Sequence, residues 1–223
     1  MYLMKTLFNS ISPSAWLLMI FLSVIFILFP QIDIYFTNLF YTEGEGFFYL
    51  HSLPEFFLYK SVRYVLIVGY VLILFIWLYN RFTKKNIFDF TGKKLLYVLL
   101  VLILGSGLIV NALLKEHWGR ARPSQTTNFG GDLHFTPAFV LSDQKGNSFS
   151  SGHTSGAFAL LAFVMLAKRR KAFWMTLVIL YGSAVSMARI VAGGHFLSDV
   201  FVSFFIMYIT SKMLYYLMFE RKF

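Results

Sequence analysis

The fold is decided by the stretch YVLIVGYVLILFIWLY, residues 64–79, which contains no charged side chain. Its apolar residues cover every face of a helix, as in a segment that is surrounded by lipid. A helix needs about 20 mostly apolar residues to cross a bilayer, and neighbouring residues extend this one over 56–79. Similar segments predict further membrane helices over residues 14–29, 95–114, 153–167, 172–191 and 196–219. The sequence therefore predicts an all-α, polytopic membrane protein, with a bundle of six transmembrane helices in a single domain, residues 1–223.

The composition of the chain supports this prediction. Of the 223 residues, 58 % are hydrophobic and 13 % are charged, whereas soluble domains carry about 25 % charged residues. Such a chain does not have enough polar side chains to cover a water-facing surface, which excludes a soluble enzyme, a disordered chain and a coiled coil. The sequence has no cysteine, which excludes disulfides, thiolate catalysis and cysteine-ligated zinc.

Basic residues in the short loops predict the orientation of the helices. Twelve of the 20 Lys and Arg residues lie at the two termini, between the second and third spans, and between the fourth and fifth spans. The loop between the first and second spans, residues 31–55, holds four acidic residues and neither Lys nor Arg. By the positive-inside rule, we expect both termini in the cytoplasm and the 115–152 segment on the other side. The net charge of +10 is thus a topology signal and does not indicate nucleic-acid binding.

The first span has some features of a secretory signal, since Lys5 precedes an apolar run. No small-residue cleavage motif follows this run, because the next residues are Pro30 and Gln31. We therefore expect an uncleaved membrane helix.

Three polar clusters lie at the outer ends of these helices, where charged groups are costly and indicate function. The first cluster, KEHWGRARP, occupies residues 115–123. Lys115 and Arg122 are seven residues apart, and on a helix this separation is nearly two turns, so a helix over both would let them share a face. The alternative is that these side chains anchor the helix at the interface. Anchoring Lys and Arg residues of this chain lie mainly on the cytoplasmic side. An outer cluster that also includes Arg120 therefore argues against simple anchoring.

The second cluster, SSGH, occupies residues 150–153 and opens the fourth span. Ser151 and Gly152 offer a hydroxyl, free backbone N–H groups and the positive end of a helix dipole, which together suit an anion. His153 is placed to donate a proton to a leaving group. The alternative is an ordinary helix N-cap with a histidine at the membrane interface.

The third cluster, RIVAGGHFLSD, occupies residues 189–199. His195 and Asp199 are four residues apart, so they meet on one helical face. A carboxylate on one ring nitrogen fixes the tautomer and makes the other nitrogen a better nucleophile or base. Arg189 adds a bidentate donor for an oxyanion. The alternative is a structural His–Asp pair in a helix bundle.

Together the three clusters supply three cations, two histidines and one carboxylate on the same side of the membrane. Phosphoryl transfer needs such a set: cations for the equatorial oxygens, an in-line nucleophile and an acid for the leaving oxygen. Two histidines and an aspartate also suit a metal ion, but three cations at one site would repel a divalent cation. The three clusters therefore predict phosphoryl transfer, for which a metal is not required.

The chain resembles the type 2 phosphatidic acid phosphatase superfamily in three motifs: KxxxxxxRP at 115–123, SGH at 151–153 and RxxxxxHxxxD at 189–199. Three motifs in this order and in a membrane chain are far more specific than any one of them. Ser150 stands where proline is common and Ala188 where serine is common, but neither change removes a group with a chemical role. The stretch HWGRARP at 117–123, together with FxP at 135–137 and NSF at 147–149, resembles the corresponding stretches of bacterial lipid A phosphatases.

The resemblance implies a role for each motif residue. His195 is then the nucleophile that forms a phosphohistidine, Asp199 orients it, and His153 protonates the leaving oxygen. The phosphate oxygens are held by the remaining motif residues, which are Lys115, Arg122, Ser151, Gly152 and Arg189. The resemblance implies no metal and no cofactor.

We therefore expect a metal-independent lipid phosphatase in the bacterial inner membrane, with its active site facing the periplasm. The expected substrate is the phosphate of lipid A or of a related envelope lipid, and no obligate protein partner is evident. Undecaprenyl diphosphate and phosphatidylglycerol phosphate are alternative substrates, and transfer of the phosphate to a second lipid is an alternative reaction. A channel or an assembly scaffold is the non-enzymatic alternative, and it leaves the outer charged clusters unexplained.

Overall fold

A computed structural model of the protein describes residues 10–221 and consists mainly of helices, with one small hairpin. The helices are α1 (Pro13–Leu28), α2 (Gln31–Asn38), α3 (Leu53–Thr83), α4 (Gly92–Leu100), α5 (Gly152–Phe158), α6 (Leu161–Leu166), α7 (Lys171–Val191) and α8 (Leu197–Tyr215). Two π-helical segments continue α4 over Val101–Lys115 and α8 over Tyr216–Glu220. Three short 3₁₀ turns cover Ile87–Asp89, Pro123–Gln125 and Thr127–Phe129. Strands β1 (Tyr41–Thr42) and β2 (Gly46–Phe47) pair antiparallel.

Four of the described helices are long and apolar enough to cross a membrane, namely Leu53–Thr83, Gly92–Lys115, Lys171–Val191 and Leu197–Glu220. They correspond to the spans predicted at 56–79, 95–114, 172–191 and 196–219. Large apolar side chains such as Phe75 and Leu180 are exposed along these helices, as expected where lipid is the solvent. The protein is therefore an α-helical, multi-pass membrane protein.

The other two predicted spans take different forms. Helix α1 ends at Leu28, and the chain then bends by 88° into α2. Pro30 lies at the bend, where its missing N–H and fixed ring interrupt a continuous helix. Counted as one span, this bent pair raises the number of described candidate spans to five. The segment predicted at 153–167 forms the shorter apolar helix pair Gly152–Leu166, which is interrupted between α5 and α6.

The predicted orientation depends partly on residues that the structure does not describe. Lys5 and Lys222 are among the twelve basic residues assigned to the cytoplasm, and both lie outside residues 10–221. The other ten lie at the end of α3, between α3 and α4, in the first turn of α4, between α6 and α7, at the first residue of α7, or after α8. The ion pair between Lys168 and Asp89, 2.8 Å from Nζ to Oδ2, puts the α3–α4 connection and the α6–α7 connection at the same end of the bundle.

Helix α5 lies inside the bundle, which explains how so short a helix is stable. Its residues 154–158 are all buried by α3, α7, α8 and the first π-helical segment. Small residues permit this close approach. A Cβ atom on Gly156 would overlap Val62 of α3, and the ring of Phe158 fills the space beside Gly182 of α7. The helix therefore holds its N-terminal residues in a fixed position.

The π-helical segment Val101–Lys115 is bonded to α5 through side chains. The Asn111 amide donates to the Ser106 carbonyl over 2.7 Å, and the Ser106 hydroxyl bonds to that of Ser155 over 2.8 Å. π-Helical turns are rare and occur frequently at functional sites. This segment ends at Lys115, the first of the predicted site residues.

Arg120 is the largest fully buried side chain among the described residues. Its guanidinium forms ion pairs with Asp33 of α2, at 2.8 Å between Nη2 and Oδ2, and with Asp199 of α8. Burial alone would lower the pKa of Arg120, but the two carboxylates outweigh this effect and raise it. The guanidinium therefore stays charged, and it ties α2 and the 115–152 segment to the start of α8.

We expect Asp33→Ala to lower the free energy of unfolding by about 3 kcal/mol or more, because it leaves part of a buried charge uncompensated. The measurement is denaturant- or heat-induced unfolding of the protein in detergent. Glu43→Ala is the control, since Glu43 is an exposed acidic residue of the same 31–55 loop. Equal stability of the two variants would contradict a structural role for the Arg120 ion pairs.

Candidate active site

The structure brings residues of the three polar clusters together at one site. Lys115 closes the π-helical segment, His153 is the second residue of α5, and Arg189 lies in the last turn of α7. All three predicted cations act electrostatically on the imidazole of His153. Two of them, Arg122 and Arg189, also act on His195. Three helix ends therefore contribute to a single cationic site that contains two histidines.

The bonding of His195 defines its tautomer. Its Nδ1 atom lies 2.8 Å from the main-chain carbonyl oxygen of Ser148. Because a carbonyl only accepts, Nδ1 carries the proton and donates it, and Nε2 keeps a free lone pair. Burial lowers the pKa of His195 below its usual 6.5, although the nearby Asp199 partly opposes this effect. His195 is therefore a neutral imidazole with an available Nε2 at neutral pH.

Asp199 lies beside His195, but its contact differs from the one that the sequence spacing predicts. The distance from Asp199 Oδ2 to His195 Nδ1 is 3.6 Å, which is an ion-pair distance and too long for a hydrogen bond. The carboxylate instead accepts hydrogen bonds from Arg120, from the Ser148 hydroxyl and from the Phe196 N–H. Ser148 thus links the two residues, since its hydroxyl donates to Asp199 while its carbonyl accepts from His195.

Two buried guanidinium nitrogens at the site have no partner within the described chain. They are the Nε atoms of Arg122 and Arg189. An unsatisfied buried donor costs about 1–3 kcal/mol, and more when it is charged. Native structures avoid this cost, so such groups indicate a ligand with acceptor oxygens. The arrangement suits an anion such as phosphate, which accepts from several donors at once.

Ser151 and Gly152 of the second cluster begin α5, and Ser151 also offers a hydroxyl to a ligand. Ser151 is the N-cap of α5, and its hydroxyl oxygen accepts a long hydrogen bond of 3.4 Å from the Thr154 N–H. The hydroxyl proton of Ser151 remains available to a ligand oxygen. Gly152 follows, and a Cβ atom there would overlap the side chain of Asn111. A side chain at position 152 would therefore displace the amide of Asn111, which bonds to the Ser106 carbonyl.

Helix α3 contributes two residues that the sequence motifs do not reveal. The ring of Tyr59 stacks on that of His153, with 4.2 Å between centroids and 28° between planes. Glu55 forms an ion pair with Arg189, at 3.2 Å from Oε1 to Nη1. The sequence signal for Glu55 was its position as an acidic residue at the start of an apolar helix, where charge is costly.

The described residues do not include a group of three His, Cys, Asp or Glu side chains that could hold a metal ion. The carboxylate beside His195 belongs to Asp199, and it already forms an ion pair with Arg120. The site is therefore built from cationic donors, which suit the oxygens of an anion.

Comparison with known proteins places these motifs in a family. The PAP2 superfamily model matches residues 94–223, which include all three motifs. The lipid A 4'-phosphatase of Francisella tularensis subsp. novicida is 33 % identical over 212 residues, covering 89 % of this chain and 91 % of that protein. The lipid A 4'-phosphatases of Rhizobium leguminosarum and Rhizobium etli are 32 % and 33 % identical, covering 80 % and 88 % of this chain and 84 % and 82 % of theirs. No solved structure matches the chain at a significant level.

We expect Gly194→Ala to weaken the binding of inorganic phosphate about tenfold or more, since a charged hydrogen bond contributes about 1.5–3 kcal/mol. A Cβ atom at Gly194 would overlap Nη2 of Arg189 and displace the guanidinium. Because that group is the end of a flexible side chain, the fold should be retained. The measurement is isothermal titration calorimetry in detergent.

The control is Gly69→Ala, because a Cβ atom at Gly69 of α3 would meet no other atom within 4 Å. A phosphate dissociation constant that is the same in both variants would contradict a role for Arg189 in anion binding.

Proposed function

Because this chain belongs to the PAP2 superfamily, we propose that it hydrolyses a phosphomonoester or diphosphate on a membrane lipid through a phosphohistidine, without a metal ion. The proposed substrate is lipid A or a related envelope lipid, since three relatives of the chain are named lipid A 4'-phosphatases. One observation carries the proposal. A buried, neutral His195 with a free Nε2 lies in a site where the buried Nε atoms of Arg122 and Arg189 have no partner within the described chain.

His195 is the proposed nucleophile of the first step. Its Nε2 attacks phosphorus, and a phosphorus–nitrogen bond forms as the bond to the leaving oxygen breaks. His153 gives its proton to that oxygen, and the incoming phosphate supplies the negative charge that favours a protonated His153. The phosphate oxygens are bound by Lys115, Arg122, Arg189, the Ser151 hydroxyl and the Gly152 N–H.

Water completes the reaction in the second step. It attacks the phosphohistidine, and His153, now neutral, accepts a proton from this water. The phosphorus–nitrogen bond breaks, inorganic phosphate leaves, and His195 is regenerated. The phosphorylated ring, with Nδ1 still protonated, carries positive charge. The buried carboxylate of Asp199, 3.6 Å away, stabilises that charge.

The proposed setting is the bacterial inner membrane, with six membrane segments in one domain, both termini in the cytoplasm and the active site facing the periplasm. The distribution of charge supports this orientation. Arg189 and the acidic 31–55 loop lie at one end of α7 and α3, whereas Lys171 and Arg81 lie at the other end of the same helices. A site at the ends of membrane helices also lies at the depth where lipids hold their phosphate groups.

We expect the purified protein to release inorganic phosphate from lipid A and to remain active with a chelator. His195→Ala should lower this activity by about 10⁴-fold or more, as expected for a nucleophile. His134→Ala is the control, since His134 is exposed in the 115–152 segment. Full activity of His195→Ala would refute the nucleophile, and loss of wild-type turnover with chelator would refute the metal-free mechanism.

The same assay separates the alternative substrates and reactions. Undecaprenyl diphosphate and phosphatidylglycerol phosphate are supplied in parallel with lipid A, and the preferred lipid is the one with the largest kcat/KM. With a labelled phosphate, a hydrolase produces free labelled phosphate, whereas a phosphotransferase produces a second labelled lipid.

The absence of cysteine provides a clean test of the orientation. We expect Asn128→Cys, in the exposed part of the 115–152 segment, to react with a membrane-impermeant maleimide in cells whose outer membrane has been permeabilised. Lys85→Cys, exposed after α3, should react only after the inner membrane is broken. The reverse labelling pattern would place the active site on the cytoplasmic side.

A further inference from the structure

We propose that Glu55 and Tyr59, one turn apart near the start of α3, are positioning residues for two different steps of the reaction. Glu55 orients Arg189 for phosphate binding, and Tyr59 orients His153 for protonation of the leaving oxygen. The inference rests on the proposed function, because it uses the roles given there to Arg189 and His153. Neither α3 residue belongs to the three sequence motifs.

Glu55 holds one side of the Arg189 guanidinium. Its Oε1 lies 3.2 Å from Nη1, and both side chains are about nine-tenths buried, with 8 % and 11 % of their surface exposed. Nη2 lies against Gly194, and the buried Nε has no hydrogen-bond partner among the described residues. The edge formed by Nε and Nη2 is one of the paired N–H edges through which arginine binds oxyanions. Glu55 thus binds the one nitrogen that this edge does not use.

Tyr59 contacts both of the groups concerned. Its ring stacks on the imidazole of His153 at 4.2 Å between centroids, and the Arg189 guanidinium carbon lies 4.8 Å from its centre. Both contacts involve the ring face, so they do not depend on the phenolic hydroxyl. The stacking restricts rotation of the imidazole, which has to point a ring nitrogen at the leaving oxygen.

Helix α3 is itself fixed to the helices that carry these partners. Just after Tyr59, the Ser61 hydroxyl bonds to that of Tyr181 in α7 over 2.8 Å. The next residue, Val62, packs against Gly156 of α5. Because α7 carries Arg189 and α5 carries His153, the start of α3 keeps a constant position relative to both.

The two roles predict different kinetic defects. Arg189 binds the phosphate group whatever the leaving group is, so a Glu55 variant should bind phosphate weakly with every substrate. His153 matters most when the leaving oxygen is strongly basic, as in an alkyl or sugar phosphate, and least when it is weakly basic. A Tyr59 variant should therefore have a defect that depends on the leaving group.

The test compares Glu55→Gln, Tyr59→Leu and Tyr59→Phe in the full chain in detergent. One substrate is the preferred lipid phosphomonoester, and the other is 4-nitrophenyl phosphate, which has a weakly basic leaving group. If wild type does not turn over the aryl phosphate, a lipid diphosphate replaces it, because its leaving group is also less basic than an alkoxide. The inhibition constant of inorganic phosphate is measured for each variant.

We expect Tyr59→Leu to lower kcat on the lipid monoester about 30- to 100-fold, within the range of general acid catalysis, but less than fivefold on the substrate with the better leaving group. Tyr59→Phe should stay within twofold of wild type, because the ring face is kept. Glu55→Gln should raise the inhibition constant of phosphate about tenfold with either substrate. Phe57→Leu, at an exposed aromatic residue of the same helix turn, is the matched control.

Equal loss on both substrates in Tyr59→Leu, or unchanged phosphate inhibition in Glu55→Gln, would overturn the respective role. If Tyr59→Leu fails to fold, the near-isosteric Glu55→Gln and the ring-preserving Tyr59→Phe still test the proposal. Tyr59→Phe should then remain active, and His153→Ala should show the same dependence on the leaving group. Failure of the proposed function has a different signature. In that case wild type itself releases no phosphate from any of the lipids.

Discussion

Arg120 carries its positive charge at a position that water does not reach. A charge in such a position persists only while Asp33 and Asp199 both face it, because an unpaired buried ion costs several kcal/mol. The three residues come from distant parts of the chain, namely α2, the 115–152 segment and α8. Forming the ion pairs therefore fixes where these three elements lie relative to one another, and the rest of the active site depends on that arrangement.

A short series of hydrogen bonds links Arg120 to His195, the proposed nucleophile. Arg120 holds Asp199, Asp199 accepts from the Ser148 hydroxyl, and the Ser148 carbonyl accepts from Nδ1 of His195. The tautomer of His195 is thus set by a main-chain group whose position the buried carboxylate controls. A carboxylate that is already paired with arginine keeps its negative charge in a dry environment, where its effect on the ring is stronger than in water.

Acidic residues of the 31–55 loop form ion pairs at the site, a role that the composition of the loop did not indicate. Two of them, Asp33 and Glu55, form buried ion pairs with Arg120 and Arg189. The site would otherwise hold an excess of cations with no counterion until substrate arrives. Asp33 pairs with the buried Arg120 of the fold, and Glu55 occupies a single nitrogen of Arg189, for which we propose phosphate binding.

The sequence by itself determined the helical membrane fold, four of the long spans and the family motifs, because hydrophobic length and motif spacing are local properties of the chain. It did not determine the bend at Pro30, the break between α5 and α6, or the acceptor of the His195 hydrogen bond. It also missed the partners of the site, since Arg120 and Asp33 are 87 residues apart and Arg189 and Glu55 are 134 apart. Only the tertiary structure decided these contacts, because the packing of the helices determines which buried charges meet. Packing brings together residues that are far apart along the chain, and no periodic pattern in the sequence marks such pairs.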